Sequence, residues 1–123
     1  MPSIPTEPKL RLRLYFSPDE MIGPGKAELL ERISRTGSIA AAGREMGMSY
    51  KRAWQLVETM NAMFRDPVVV STRGGPRGGG AQVTDMGLKV LSEYRALESK
   101  ARSAGAEHVG QLASLLNDPK SDT

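Results

Sequence analysis

The sequence predicts a mainly α-helical domain with one small β-hairpin, followed by a long helix that joins two subunits. Two short helical stretches lie on either side of a tight turn at Gly47, and a run of β-branched residues then leads into a tip rich in glycine and arginine. Two helices joined so closely must cross steeply, and a hairpin directly after such a pair is typical of a wing. The sequence therefore predicts a winged helix-turn-helix domain over residues 9–84 and a helical dimerisation region over residues 85–117.

Composition narrows the classes of protein to which the chain can belong. Its 123 residues, enough for one domain, carry 17 Lys and Arg against 14 Asp and Glu, with no cysteine and a single histidine, His108. Without cysteine there is no thiolate metal site or thiol catalysis, and a lone histidine indicates neither a metal site nor a cofactor. No set of nucleophile, base and stabiliser is recognisable, so we do not expect an enzyme. The chain lacks an apolar run of ~20 residues and a signal peptide, so a cytoplasmic protein without membrane contact is expected.

The first third of the chain is expected to add a strand and a helix. Residues 1–8 hold three prolines and predict a disordered lead-in. Strict alternation from Lys9 to Phe16 predicts a strand whose basic face is either a solvated edge or a contact to DNA backbone. A helix over residues 24–35 follows, and Gly37 ends it. The apolar positions of this helix are Leu29, Leu30 and Ile33.

The helix pair over residues 38–64 is the centre of the predicted domain. Ser38 and Ser49 can each cap a helix by accepting a hydrogen bond from an amide of its first turn. Gly47 can end the first helix because glycine tolerates a positive φ. At 100° per residue, the apolar residues of the second helix fall on one arc and its long polar residues on the opposite one. The apolar arc, which we expect to be buried, consists of Ala53, Leu56, Val57, Met60 and Phe64.

The exposed start of the second helix carries side-chain types that contact base edges or phosphates. The residues expected to bind DNA there are Ser49, Tyr50, Lys51, Arg52 and Gln55, together with Ser38 at the start of the preceding helix. A glutamine suits adenine edges, whereas a lysine suits guanine or phosphate. The neighbouring Trp54 either supports Tyr50 at the groove or packs at the margin of the core.

A hairpin is predicted directly after the helix pair. Val68–Thr72 and Ala81–Val83 have the composition of its two strands. At the tip between them, glycines allow close approach to a groove, and Arg73 and Arg77 supply charge for phosphates or a narrow minor groove. A flexible loop without a DNA contact is the alternative.

The last predicted helix begins at the Thr84 cap and carries a long apolar stripe. The stripe, spaced by three and four residues, consists of Leu88, Leu91, Tyr94, Leu97 and Ala101. It is longer than one small core needs, so these residues are expected to form a dimer interface. Gly105 is expected to interrupt the helix, a second apolar stripe ends near Asn117, and residues 118–123 are expected to be a frayed tail.

The motifs of the helix pair, the hairpin tip and the last helix occur together in one known family. They are Gly37-Ser-Ile, Gly47-Met-Ser-Tyr-Lys-Arg-Ala-Trp54, Met60-Asn61, the glycine tip 74–80 and Thr84-x-x-Gly87. Over roughly residues 9–102 the chain resembles the N-terminal DNA-binding domain of ModE-type, molybdate-responsive regulators, and more distantly the LysR-type winged helices. The resemblance implies a homodimer that places two recognition helices in successive major grooves of a near-palindromic operator, and thereby a sequence-specific transcriptional regulator.

The same resemblance implies a further C-terminal region in the full-length family, made of small β-barrel domains that bind oxyanions. These 123 residues hold no counterpart of that region. Regulation by molybdate or tungstate is therefore not carried over, and the effector or partner protein stays open.

Two other functions are compatible with the sequence. A winged-helix protein-interaction module would use the basic wing and the face of Lys51 and Gln55 to bind an acidic protein surface. A nonspecific architectural binder would coat DNA of any sequence. A sequence-specific regulator prefers its operator by a factor on the order of 10³ or more, whereas a nonspecific binder shows almost no preference.

Overall fold

The computed structural model of the chain describes residues 8–72 and 80–117. Within these ranges it contains four helices and two separate pairs of antiparallel strands. In chain order the elements are β1 (Leu14–Ser17), β2 (Glu20–Ile22), α1 (Pro24–Thr36), α2 (Ile39–Glu45), α3 (Tyr50–Met63), β3 (Val69–Thr72), β4 (Gly80–Val83) and α4 (Asp85–Ser114). The predicted mainly helical architecture with a small hairpin is confirmed. None of these helices combines the length and apolar character needed to cross a membrane.

The helix boundaries around α2 follow from local chemistry. Gly37 and Gly47 have φ values of 71° and 73°, in the region that favours glycine, and each lies where a helix ends. The Ser38 hydroxyl accepts a hydrogen bond from the Ala41 amide at 3.0 Å. The Ser49 hydroxyl does the same for the Arg52 amide at 3.1 Å. Each cap contributes about 1 kcal/mol, and both predicted caps are confirmed.

One apolar core lies between the helices and the hairpin. Its buried members include Leu29, Leu30 and Ile33 of α1, Ala53, Val57 and Met60 of α3, and Val68, Val69, Ala81 and Val83 around the hairpin. Leu56 and Phe64 are half-buried and pack against this core, so the predicted apolar arc of α3 is confirmed. A Cβ atom on Gly43 would lie 2.9 Å from the Ala53 Cβ, so glycine is what lets α2 and α3 approach so closely.

The β3–β4 hairpin is held at both of its ends. Its strands are antiparallel, with Val69 opposite Val83 and Thr72 opposite Gly80. Near the tip, the Ala81 amide donates to the Gly37 carbonyl at 2.9 Å. At the base, the Thr84 amide donates to the Val68 carbonyl, also at 2.9 Å. The hairpin is therefore fixed relative to the turn between α1 and α2 and to the start of α4.

The N-terminal strand is shorter than predicted and has a partner that the sequence did not reveal. β1 begins at Leu14 instead of Lys9 and pairs with β2, which has only three residues. A longer β1 would find no backbone partners on so short a strand, so residues 9–13 carry the alternating pattern without forming a strand. Leu14 and Phe16, on the apolar face of the pattern, remain exposed on the surface of the chain.

The prediction that Gly105 interrupts the last helix is wrong. α4 runs without a break for 30 residues, from Asp85 to Ser114. A single glycine lowers the stability of a helix by only about 1 kcal/mol relative to alanine. The residues on both sides of Gly105 favour the helix by more than that, so it continues through the glycine. At its start, the Thr84 hydroxyl accepts the Gly87 amide at 3.0 Å, which confirms the predicted cap.

A network of ion pairs around one buried carboxylate joins α4 to α1. The side chain of Glu98 is 4% exposed and pairs with Arg95 at 2.7 Å and with Arg102 at 3.3 Å. Arg95 also makes two hydrogen bonds to Glu31 of α1, at 2.7 and 3.1 Å. Burial raises the pKa of the Glu98 carboxyl, but the two arginines outweigh burial and hold this pKa below its usual value.

Glu98→Gln is expected to lower stability at neutral pH and to make the loss depend on pH. A carboxyl whose pKa is lower in the folded than in the unfolded chain stabilises the fold above its unfolded pKa of about 4.3, and this stabilisation disappears as pH falls through the folded pKa. The gap in melting temperature between wild type and Glu98→Gln should therefore be largest at pH 7 and shrink below roughly pH 4. Thermal melts across this range test it, with Glu107→Gln, an exposed position of α4, as the control. A gap that stays constant with pH would contradict this role of the ion pairs.

Candidate nucleic-acid interface

The start of α3 presents an exposed polar surface. Tyr50 is 56% exposed, and Lys51, Arg52 and Gln55 are also exposed. The opposite side of α3 is anchored by Ala53, Val57 and Met60, so these side chains cannot turn inward. The oxygens of Ser38 and Ser49 accept the capping hydrogen bonds, which leaves each hydroxyl proton free to donate. The structure thus brings the predicted residues of the first turns of α3 onto one surface.

Positive charge at this surface is not neutralised within the described part of the chain. Arg32 and Arg35 of α1 pair with Glu45, whereas Lys51 and Arg52 form no ion pair among residues 8–72 and 80–117. Arginines already paired with carboxylates offer little to a phosphate. Lys51 and Arg52 are therefore the cations of α3 that can meet a polyanion.

Lys26 is a nearby cation that the sequence analysis missed. It lies in the first turn of α1, and its Nζ donates to the Met21 carbonyl at 2.8 Å. Burial lowers the pKa of Lys26, and the positive charge of Arg52 lowers it further. The positive charges of Lys26 and Arg52 therefore act on each other across two helices. No sequence signal near Lys26 indicates this, because Lys26 and Arg52 belong to different helices, 26 positions apart in the chain.

Asn61 is a second residue that the sequence analysis did not assign to the site, and it fixes the hairpin against α3. Its Oδ1 accepts the amides of Val68 at 2.8 Å and Val69 at 3.2 Å. Its Nδ2 donates to the Val69 carbonyl at 3.1 Å. Three hydrogen bonds from one side chain set the position of β3 relative to the helix. Asn61 is thus a positioning residue for the whole surface.

A cleft of about 280 Å³ separates α3 from the hairpin and the start of α2. Its lining includes Ser38, the cap of α2, the α3 residues Tyr50, Trp54, Glu58 and Asn61, and Gly80 of the hairpin. Trp54 is 45% exposed and lines this cleft. Trp54 shares this cleft with Tyr50 and with the core residues Val57 and Val69, so both interpretations of Trp54 stay predictions.

Two predicted DNA-binding residues, Arg73 and Arg77, lie outside the described residues. The structure describes the hairpin up to Thr72 and again from Gly80. Their role as wing residues stays a prediction from the sequence. Across residues 8–72 and 80–117, no three His, Asp or Glu side chains converge on a possible metal position.

The predicted dimer residues of α4 divide into two groups. Leu88 and Leu97 are 46% and 42% exposed, while Leu91 and Ala101 are half-buried. Tyr94 is only 3% exposed, and its hydroxyl donates to the Leu12 carbonyl at 2.6 Å. Tyr94 therefore packs in the core of its own chain, while the assignment of these residues to a dimer interface stays a prediction.

The chain is similar in sequence to several curated bacterial proteins. It is 42% identical over 93 residues to the molybdenum transport protein ModE of Azotobacter vinelandii, an overlap of 76% of this chain and 33% of that protein. It is 47% identical over 78 residues to the molybdenum-pterin-binding protein MopB of Rhodobacter capsulatus, an overlap of 63% and 29%. It is 35% identical over 71 residues to the DNA-binding transcriptional dual regulator ModE of Escherichia coli K12, an overlap of 58% and 27%.

A comparison with models of known protein families gave no match. The chain spans about a third of the length of the curated relatives that it matches. The similarity therefore concerns one portion of those proteins.

Proposed function

Because the chain is a sequence relative of the ModE-type regulators, we propose that it is a transcription regulator that binds double-stranded DNA sequence-specifically through a winged helix-turn-helix domain. In this proposal α3 is the recognition helix and enters the major groove. The β3–β4 hairpin is the wing and lies on the adjacent backbone or minor groove. No chemical transformation is part of the function, and the proposed partner is duplex DNA.

One observation carries the proposal: the exposed start of α3 bears cations that have no carboxylate partner in the described chain, and a rigidly held hairpin lies beside it. Lys51 and Arg52 supply charge for phosphates or guanine, and Gln55 can pair with an adenine edge. Because Asn61 fixes the hairpin to α3, both elements would meet the duplex in a constant relative position. Such preorganisation lowers the ordering cost of binding.

A homodimer completes the proposal. Leu97 exposes apolar surface on α4, and Leu112, Leu115 and Leu116 expose more on the same side around the C-terminal end of the helix. Leu88 is exposed on the opposite side. Burying such a stripe against a second copy would place two α3 helices in one assembly. A two-fold protein with two recognition helices matches a near-palindromic operator whose half-sites lie about one helical turn apart. The exposed leucines support this arrangement, and Tyr94 takes no direct part in it.

Capture of genomic DNA fragments by the purified protein, in moderate salt and without added ligand, tests the function. A sharp motif with two-fold symmetry is the expected result. Affinity for that motif should then exceed affinity for random duplexes by a factor on the order of 10³ or more. Diffuse recovery in that experiment, unchanged when molybdate or tungstate is added, would refute sequence-specific regulation and leave the architectural binder.

Gln55→Ala is expected to reduce discrimination more than general affinity. A bidentate contact to a base edge contributes about 1–3 kcal/mol against the wrong base, so affinity for the operator should fall roughly tenfold or more while affinity for random DNA changes little. Fluorescence anisotropy with both duplexes measures the two affinities. Gln111→Ala, an exposed glutamine on α4, is the matched control and should alter neither. Equal losses on both duplexes would exclude Gln55 as a base reader.

A further inference from the structure

Two aromatic rings on the accessible side of α3 have no partner that explains their position. Tyr50 and Trp54 are 56% and 45% exposed, although they are large and largely apolar. They are four residues apart, so they lie side by side on one line along the helix. Neither the Tyr50 hydroxyl nor the Trp54 ring nitrogen forms a side-chain hydrogen bond within the described ranges. The pair forms an apolar strip on an otherwise polar helix face.

The charges around this strip identify what can bind there. Glu58 continues the same line of the helix and lines the same cleft as the two rings, and it forms no ion pair among residues 8–72 and 80–117. A carboxylate beside the rings repels a phosphate. Lys51 and Arg52 lie on neighbouring lines of α3, where they attract the polyanion, and neither pairs with Glu58 among the described residues. The strip is therefore suited to the uncharged part of a duplex that the cations bring close.

The major groove presents one apolar group of that kind, the C5 methyl of thymine. The other bases present hydrogen-bond donors and acceptors there. Burying a methyl group against an aromatic ring is favoured by the hydrophobic effect, and a carboxylate nearby does not oppose it. Tyr50 occupies the first turn of α3, and the first turns are the part of a recognition helix that reaches base edges.

We propose that Tyr50 and Trp54 form a thymine-methyl reader that contributes to operator specificity. This inference rests on the proposed function, because it needs α3 to lie in a major groove. It assigns to the two rings a base contact that the polar residues of α3 cannot supply. Operators of this protein should accordingly contain at least one thymine in each half-site whose methyl group faces the rings.

Substitution of single thymines by deoxyuridine tests the proposal, since this change removes the methyl group and keeps the hydrogen-bonding edge. Operator duplexes with one such replacement at each thymine in turn are titrated with the full chain. Wild type should lose affinity about fourfold at one or more positions, the value of one buried methyl group. Trp54→Ala and Tyr50→Ala should bind the unmodified operator more weakly than wild type does. Each variant should also lose the response to deoxyuridine at a thymine whose replacement weakens binding by the wild type. Tyr50→Phe, which keeps the ring, should retain that sensitivity.

The outcomes separate the inference from the function on which it rests. Sequence-specific binding with no deoxyuridine sensitivity at any thymine would overturn the methyl reader and leave the regulator intact. A sensitivity that persists in the double variant Tyr50→Ala/Trp54→Ala would assign the methyl contact to other residues. Absence of any operator preference would overturn both. Thr59→Ala, at an exposed position on the opposite side of the same helix from Tyr50, is the control and should keep the wild-type response, and melting temperatures establish that each variant folds.

Discussion

Gly87→Ala is expected to destabilise the fold by about 3 kcal/mol, at the upper end of the cost of overpacking. A Cβ atom on Gly87 would lie 2.3 Å from the Val68 carbonyl oxygen and 2.7 Å from a methyl carbon of Val83. The first of these is backbone and cannot rotate away, so either α4 or the hairpin must move. The melting temperature should fall by roughly 10 °C. Thermal unfolding at a fixed protein concentration measures it.

Gly110→Ala provides the matched control for Gly87→Ala. Both glycines lie in α4, but a Cβ atom on Gly110 would meet no atom within 4 Å. Alanine there should raise stability by up to about 1 kcal/mol through helix propensity alone. The same chemical change should thus have opposite signs at two positions of one helix. If Gly87→Ala were as stable as Gly110→Ala, α4 could not begin as close to the hairpin as described.

Asn61→Ala is expected to destabilise the fold by about 3 kcal/mol and to weaken DNA binding. It removes the acceptor of the Val68 and Val69 amides, and a buried amide without a partner costs about 1–3 kcal/mol. Both residues are buried, so water cannot easily replace the lost acceptor. Because the hairpin would lose its fixed position beside α3, affinity should fall for operator and random duplexes together.

Asn61→Asp separates the two parts of this contact. Aspartate keeps an acceptor for the two amides but loses the donor to the Val69 carbonyl, so its loss of stability should be smaller than that of alanine. Thermal melts and anisotropy titrations on all three proteins decide this order. An Asn61→Ala variant with wild-type stability and wild-type affinity would remove Asn61 as the link between the helix and the hairpin.

The candidate surface was largely predictable because its signals are local. The hydroxyl of Ser49, the glycine at 47 and the apolar spacing on α3 together determine where that helix begins and which face is buried. Once the buried face is known, the exposed one follows by geometry, and with it the positions of Lys51, Arg52 and Gln55. The effect of Lys26 on Arg52 was not predictable in this way, because it joins residues of two different helices.

The sequence by itself thus determined the caps, the glycine stops, the paired strands of the hairpin and the two faces of α3, since each depends on residues a few positions apart. Tertiary structure alone decided that Tyr94 packs inside its own subunit, that β1 pairs with β2 and that Asn61 holds the hairpin. The Tyr94 contact with Leu12 joins residues 82 positions apart. Periodicity marks which side of a helix is apolar. It does not say whether that side is covered by the same chain or by a second copy, because either one removes the apolar surface from water.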